Sequence, residues 1–236
     1  MIKLICVDAG HGGEDPGACA NGVQEKDIAL KIALKVKGLL LANDLGVVMT
    51  REIDQYDSVD EKAEKANLAK ADLFVSIHCN SASQSSANGT ETLSYDLTGK
   101  SFQLASYVQQ ELTNTCQRRN RGVKQRKKLV VLNSTQMPAI LVETAFISND
   151  TERELLQQED FQNKIATAIV KGICRYCGII PKEENQVIET KVPEWKENSV
   201  KLAQENGILN QYHNPLEQVD MGTLCTMLLA LMQKKA

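Results

Sequence analysis

Short, nearly unbroken apolar runs alternate along this chain with longer stretches in which apolar residues recur every three or four positions. The segment Ile2 to Gly13 reads as a buried strand and the turn that ends it; Val47 to Thr50, Leu73 to Asn80, Gly89 to Tyr95, Leu129 to Leu132 and Pro138 to Thr144 read as further strands. Between them, Ala29, Ile32, Ala33, Val36 and Leu40 mark one face of a helix from about Gln24 to Asn43, with Gly46 as its stop. Val59 to Ala71 reads as a polar, alanine-rich helix. Phe102, Ala105, Val108 and Leu112 mark a helix from Ser101 to Cys116, and Phe161 to Tyr176 reads as a closing helix. Repeated strand-then-helix order with runs buried on both faces predicts an α/β fold: a twisted, mostly parallel or mixed sheet of about six strands flanked by helices.

From Pro181 to Val192 the composition shifts to Lys, Glu, Asn, Gln and Thr, the mark of a short linker. The expected organisation is a catalytic-sized domain over 1–180, a linker over 181–192 and a small helical C-terminal domain over 193–236. The last carries candidate helices at Trp195 to Asn206 and Met221 to Gln233. Met221 to Leu231 is apolar enough to need a partner surface, so docking or a homodimer through this tail is expected.

Composition narrows the function classes. A formal charge of −3 over 236 residues gives no global attraction to nucleic acid or to anionic membranes. No apolar stretch approaches the about 18 residues needed for a bilayer-spanning helix, so no membrane insertion is expected. Met1 is followed almost at once by the first apolar run, which predicts a chain made in the cytoplasm without a signal peptide. Seven scattered cysteines form no disulfide-like framework. Cys174 and Cys177 form a lone CxxC at a helix end, more consistent with packing than with redox or metal chemistry. The basic stretch Arg118 to Lys128 lacks interleaved aromatics, and a solvated loop is favoured over a nucleic-acid patch.

Of three histidines, two occupy the same kind of place, the mouth of an apolar strand. His11 lies in Gly10-His11-Gly12-Gly13, where glycines let the backbone turn and leave the imidazole unobstructed; a phosphate-cradling loop is the weaker alternative. His78 shares a strand face with polar Ser76 and Asn80, which packing alone does not explain, although a lone core histidine reads the same way. Glu25 opens a helix, where an acid is also favoured by the helix dipole. Glu143 ends an apolar run, where a carboxylate is costly unless it sits in a site or pairs, for example with Arg51. Two imidazoles, a carboxylate ligand and a separate base make up the set a zinc hydrolase requires.

In order, Val7-Asp8-Ala9-Gly10-His11-Gly12-Gly13-Glu14-Asp15-Pro16-Gly17-Ala18, Glu25-Lys26, Thr50-Arg51-Glu52, Ala66-Asn67, Ala71 to Asn80, Asn120-Arg121-Gly122-Val123-Lys124 and Val142 to Asn149 resemble the zinc-dependent N-acetylmuramoyl-L-alanine amidases. The resemblance covers roughly the first three quarters of the chain. It implies one Zn2+ ion held by His11, Glu25 and His78, with Glu143 as the catalytic carboxylate and Asn80 as a substrate contact. It implies cleavage of the amide between N-acetylmuramic acid and L-alanine of the stem peptide, with peptidoglycan as the partner. An enzyme of this kind lacking a signal would be a phage endolysin or a lysis or sporulation autolysin, reaching the wall through a holin or by cell lysis. The alternatives are a zinc peptidase acting within the stem peptide and a non-catalytic wall-binding protein of the same fold. The chain departs from the usual family pattern at Ala9, where proline is usual, and at Lys62, where arginine is usual. The segment from Val192 to Leu209 loosely resembles half of a surface-layer-homology-type repeat, which implies a wall tether.

Overall fold

The computed structural model describes residues 2–182; the predicted tail, most of the predicted linker and their wall-binding or dimerising role lie outside the described residues. Among the described residues, eight strands and six helices follow one another as β1 (Leu4–Ala9), β2 (Cys19–Ala20), β3 (Val23–Gln24), α1 (Glu25–Ala42), β4 (Gly46–Met49), α2 (Val59–Leu68), β5 (Leu73–Asn80), β6 (Thr90–Ser94), α3 (Gly99–Cys116), β7 (Asn120–Gln125), α4 (Val130–Asn133), β8 (Ala139–Phe146), α5 (Asp150–Gln157) and α6 (Glu159–Cys177). Six strands form one sheet in the order β4-β1-β5-β8-β6-β7, and β2 and β3 form a separate small hairpin. Pairing is parallel from β4 through β8, antiparallel between β8 and β6, and parallel again between β6 and β7. The sheet is therefore mixed, as the strand–helix alternation predicts.

Strand residues alternate between two apolar layers because successive side chains point to opposite faces. Ile5, Val7, Leu73, Val75, Ile77, Ile140 and Val142 face a thick layer built from α1, α3 and α6. Cys6, Phe74, Leu93 and Leu141 face a thinner one with Ala66 of α2 and Val131 and Leu132 of α4. Each fully buried Leu, Ile or Phe contributes about 1.5–3 kcal/mol. On the thin side the adjacent strands β1, β5 and β8 turn polar toward one rim: Asp8 follows Cys6, Ser76 and His78 follow Phe74, and Glu143 follows Leu141. That change of character along one face positions the site.

Two readings are corrected. Leu129 to Leu132 is not a strand; Val130–Asn133 is a short helix that packs Val131 and Leu132 onto the thin layer. A four-residue apolar run carries no periodicity that separates strand from helix. Conversely, part of the basic stretch taken for a loop is β7, an edge strand paired to β6 alone. At finer scale, α1 ends at Ala42 and Gly46 opens β4, while α2 ends at Leu68 behind a Ser58–Glu61 capping box. No helix among the described residues is long and apolar enough to cross a membrane. The six described cysteines are free, Cys174 and Cys177 among them.

Candidate metal centre and active site

The rim is organised from beneath by a buried polar knot. Asp8 accepts hydrogen bonds from Thr50 Oγ1 (2.6 Å) and Ser76 Oγ (2.5 Å), and Lys62 Nζ lies 3.1 Å from its Oδ1. Lys62 also donates to the carbonyls of Ala9 (2.7 Å) and His11 (3.1 Å). Burial would raise the Asp8 pKa, but Lys62, His78 and the two hydroxyls outweigh it and the net shift is downward. Arg51 does not pair with Glu143. Its guanidinium donates to the carbonyls of Ala9, Gly10, Ile53 and Lys26, tying the His11 loop to the first turn of α1.

On that base His11, Glu25 and His78 converge, each offering a ligand atom within 4.8 Å of the others. Glu25 is the hub: Oε2 faces His11 Nε2 at 3.1 Å and accepts from Ala18 N–H, while Oε1 faces His78 Nδ1 at 2.8 Å and accepts from Cys79 N–H. Burial opposes its charge, yet the imidazoles hold its carboxyl well below the usual range. The two rings stand edge to face, 4.8 Å apart between centroids. His11 Nδ1 lies 2.7 Å from Asp15 Oδ2, so a carboxylate stands ready to accept a proton from Nδ1, and Nε2 turns inward toward Glu25. Two glycines make room for this packing. A Cβ on Gly10 would lie 2.5 Å from the His78 ring, and one on Gly17, at φ +66°, would lie 2.6 Å from the His11 ring.

Glu143 stands directly across from His78 in the β5–β8 register. Its Oε2 is buried without a hydrogen-bond partner, and burial pushes its pKa up to about 7. An orphaned carboxylate oxygen beside three converging donors is an unsatisfied arrangement in a folded core. A cation between the donors fits it, and two nitrogens with a carboxylate oxygen suit a divalent transition metal with one open position.

Residues 5–175 match the family described as N-acetylmuramoyl-L-alanine amidase. The chain belongs to that family. The endolysin of Bacillus phage SPP1 is 40% identical over 200 residues, which cover 79% of this chain and 73% of that protein. N-acetylmuramoyl-L-alanine amidase LytC of Bacillus subtilis (strain 168) is 41% identical over 177 residues, covering 74% of this chain and 35% of that one. The solved catalytic domain of CwlV, N-acetylmuramoyl-L-alanine amidase from Bacillus (Paenibacillus) polymyxa var. colistinus, superposes with a TM-score of 0.72 at 36% identity, over 76% of this chain and all of that one. This amidase is thus a peptidoglycan hydrolase.

Asn80, expected as a substrate contact, has its side chain engaged within the protein. Its amide donates to Glu91 Oε1 (3.1 Å) and its Oδ1 accepts from Ser81 N–H (2.8 Å). Glu91, which the sequence did not single out, and Arg121, which it offered only within a motif and a basic stretch whose charges could meet carboxylates of the wall peptide, join the amidase rim. The signal available was an acid in the β6 run and an arginine in a basic stretch, neither distinctive alone.

Proposed function

We propose that this amidase is zinc-dependent, with His11, Glu25 and His78 holding one ion and Glu143 acting as general base and acid. Its substrate is the amide joining N-acetylmuramic acid to the L-alanine of the stem peptide. The observation that carries the reading is the convergence of three donor side chains beside a buried carboxylate oxygen that nothing else satisfies. Bound there, zinc supplies Lewis acidity that polarises a carbonyl and makes water a nucleophile near neutral pH. Glu143 takes the proton of the attacking water on its free oxygen and returns it to the departing L-alanine nitrogen. With the ion bound, Glu25 would ligate it between the two imidazoles, and Asp15 on Nδ1 would favour the His11 tautomer whose Nε2 is free to ligate. As in an endolysin, the enzyme acts on the wall after release from the cell that made it.

Mass spectrometry of digested purified walls tests the reaction. New L-alanine amino termini beside intact muramic acid are expected, lost on chelation and restored by zinc. New termini from deeper stem residues would instead make the enzyme a peptidase. Asp15→Ala should weaken zinc binding by about 10- to 100-fold, read by competition with a chromogenic chelator, with circular dichroism unchanged.

A further inference from the structure

Four side chains stand in a row across the sheet at the level of the site. His78 of β5 is opposite Glu143 of β8, and Glu143 is opposite Glu91 of β6. Glu91 Oε2 in turn accepts from Arg121 Nε of β7 at 2.7 Å. Arg121 joins the row through a break in register. Thr90 pairs with Asn120 but Thr92 with Val123, so both Arg121 and Gly122 oppose Glu91, and Gly122 adopts φ +78°. A bulge of this kind re-aims a side chain, and here it turns an edge-strand arginine toward the site.

The arginine is held firmly and only partly used. Glu91 grips Nε, the Phe146 ring lies 4.8 Å from the guanidinium carbon, and the side chain keeps 29% of its surface exposed. Its two terminal nitrogens have no hydrogen-bond partner among the described residues. Glu91 has no spare oxygen, since Asn80 occupies the other, so it serves as a bracket. The result is a pre-oriented fork of donors, the geometry that binds a carboxylate in bidentate fashion. Arg118, Arg119, Lys124 and Lys128 flank Arg121 along the chain, with no ion pair among the described residues.

Resting on the zinc-amidase reading above, we propose that Arg121 is the subsite for a carboxylate of the stem peptide and fixes which way the substrate lies. The N-acetylated sugar is neutral and its lactyl carboxyl is consumed in the scissile amide, so every candidate anion sits on the peptide side. The peptide leg therefore runs from Glu143 out over β6 and β7. Two strand spacings of about 4.8 Å put the fork roughly 10 Å from β8, the reach of two to three extended residues beyond the cleaved bond.

Kinetics of the zinc-loaded full chain on two synthetic muramoyl peptides test this, the pair differing only in a free carboxylate or a primary carboxamide on the second residue. The wild type should favour the carboxylate by about 10- to 100-fold in kcat/KM. Arg121→Gln should shrink that ratio to within about threefold, and Arg121→Lys should keep part of it. A wild type indifferent to the carboxylate overturns the proposal. So does an Arg121→Gln variant that slows both substrates equally and preserves the ratio, because the arginine would then serve only to hold Glu91. Failure of the underlying amidase reading has its own signature: no new L-alanine amino terminus from either peptide, an outcome that overturns both.

Discussion

Glu143→Gln is expected to lower kcat by about 10²- to 10⁴-fold while zinc content stays at one ion per chain. The amide matches the carboxylate in size and shape, so packing around β8 is preserved. What it removes is the ability to take and return a proton at the oxygen that has no partner. The same change should leave stability unchanged or raise it, because Glu143 is buried and its charge is opposed first by desolvation and then by the charges of Glu25 and Glu91. Turnover on soluble muramoyl peptide, metal analysis and a urea midpoint distinguish these effects. Full activity in the variant would place the base elsewhere.

The second large effect concerns folding. Lys62→Met should destabilise the protein by about 3–5 kcal/mol, because it strands Asp8 with its charge buried and takes a donor from the carbonyls of Ala9, which keeps Arg51, and His11. The pH dependence should also change sign. In the wild type the folded-state pKa of Asp8 is depressed. Its contribution is thus fully present above the unfolded value near 3.9 and is lost as pH falls through the folded value. Without the ammonium, burial becomes the dominant influence and raises the folded pKa. The variant should then lose stability as pH rises from the unfolded value toward the raised one. Urea midpoints between about pH 3 and pH 7 for both proteins read the two slopes; parallel slopes would show that Lys62 does not set the charge of Asp8.

What the sequence made legible follows from where each signal is local. His11, Glu25, His78 and Glu143 each end or begin an element whose apolar rhythm is plain, and the fold brings the first three together with the fourth beside them. Lys62 was visible only as a departure from a pattern. Its burial depends on α2 lying against the thin face of the sheet, so that the helix position in line with Ala66 points at Asp8 rather than at water. β7 escaped because an edge strand paired on one side needs no apolar alternation, and Asn120 to Gln125 is mostly polar. The Glu91–Arg121 pair depends on a one-residue slip between two strands thirty positions apart, which no local pattern encodes. Leu129 to Leu132 was misread for the opposite reason: four apolar residues suit either backbone, and the choice was made by packing against α2.

The three donors come from separate parts of the chain, the end of β1, the start of α1 and the end of β5, with Glu25 and His78 separated by 53 positions. On the proposed reading, a cation shared among them would act as a rivet through the scaffold as well as a reagent. Unfolding would release it, so occupancy would add RT ln(1 + [Zn]/Kd) to the resistance of the fold, about 4 kcal/mol at a thousandfold excess over Kd. Metal supply would then govern how long the enzyme survives among proteases as well as how fast it cuts.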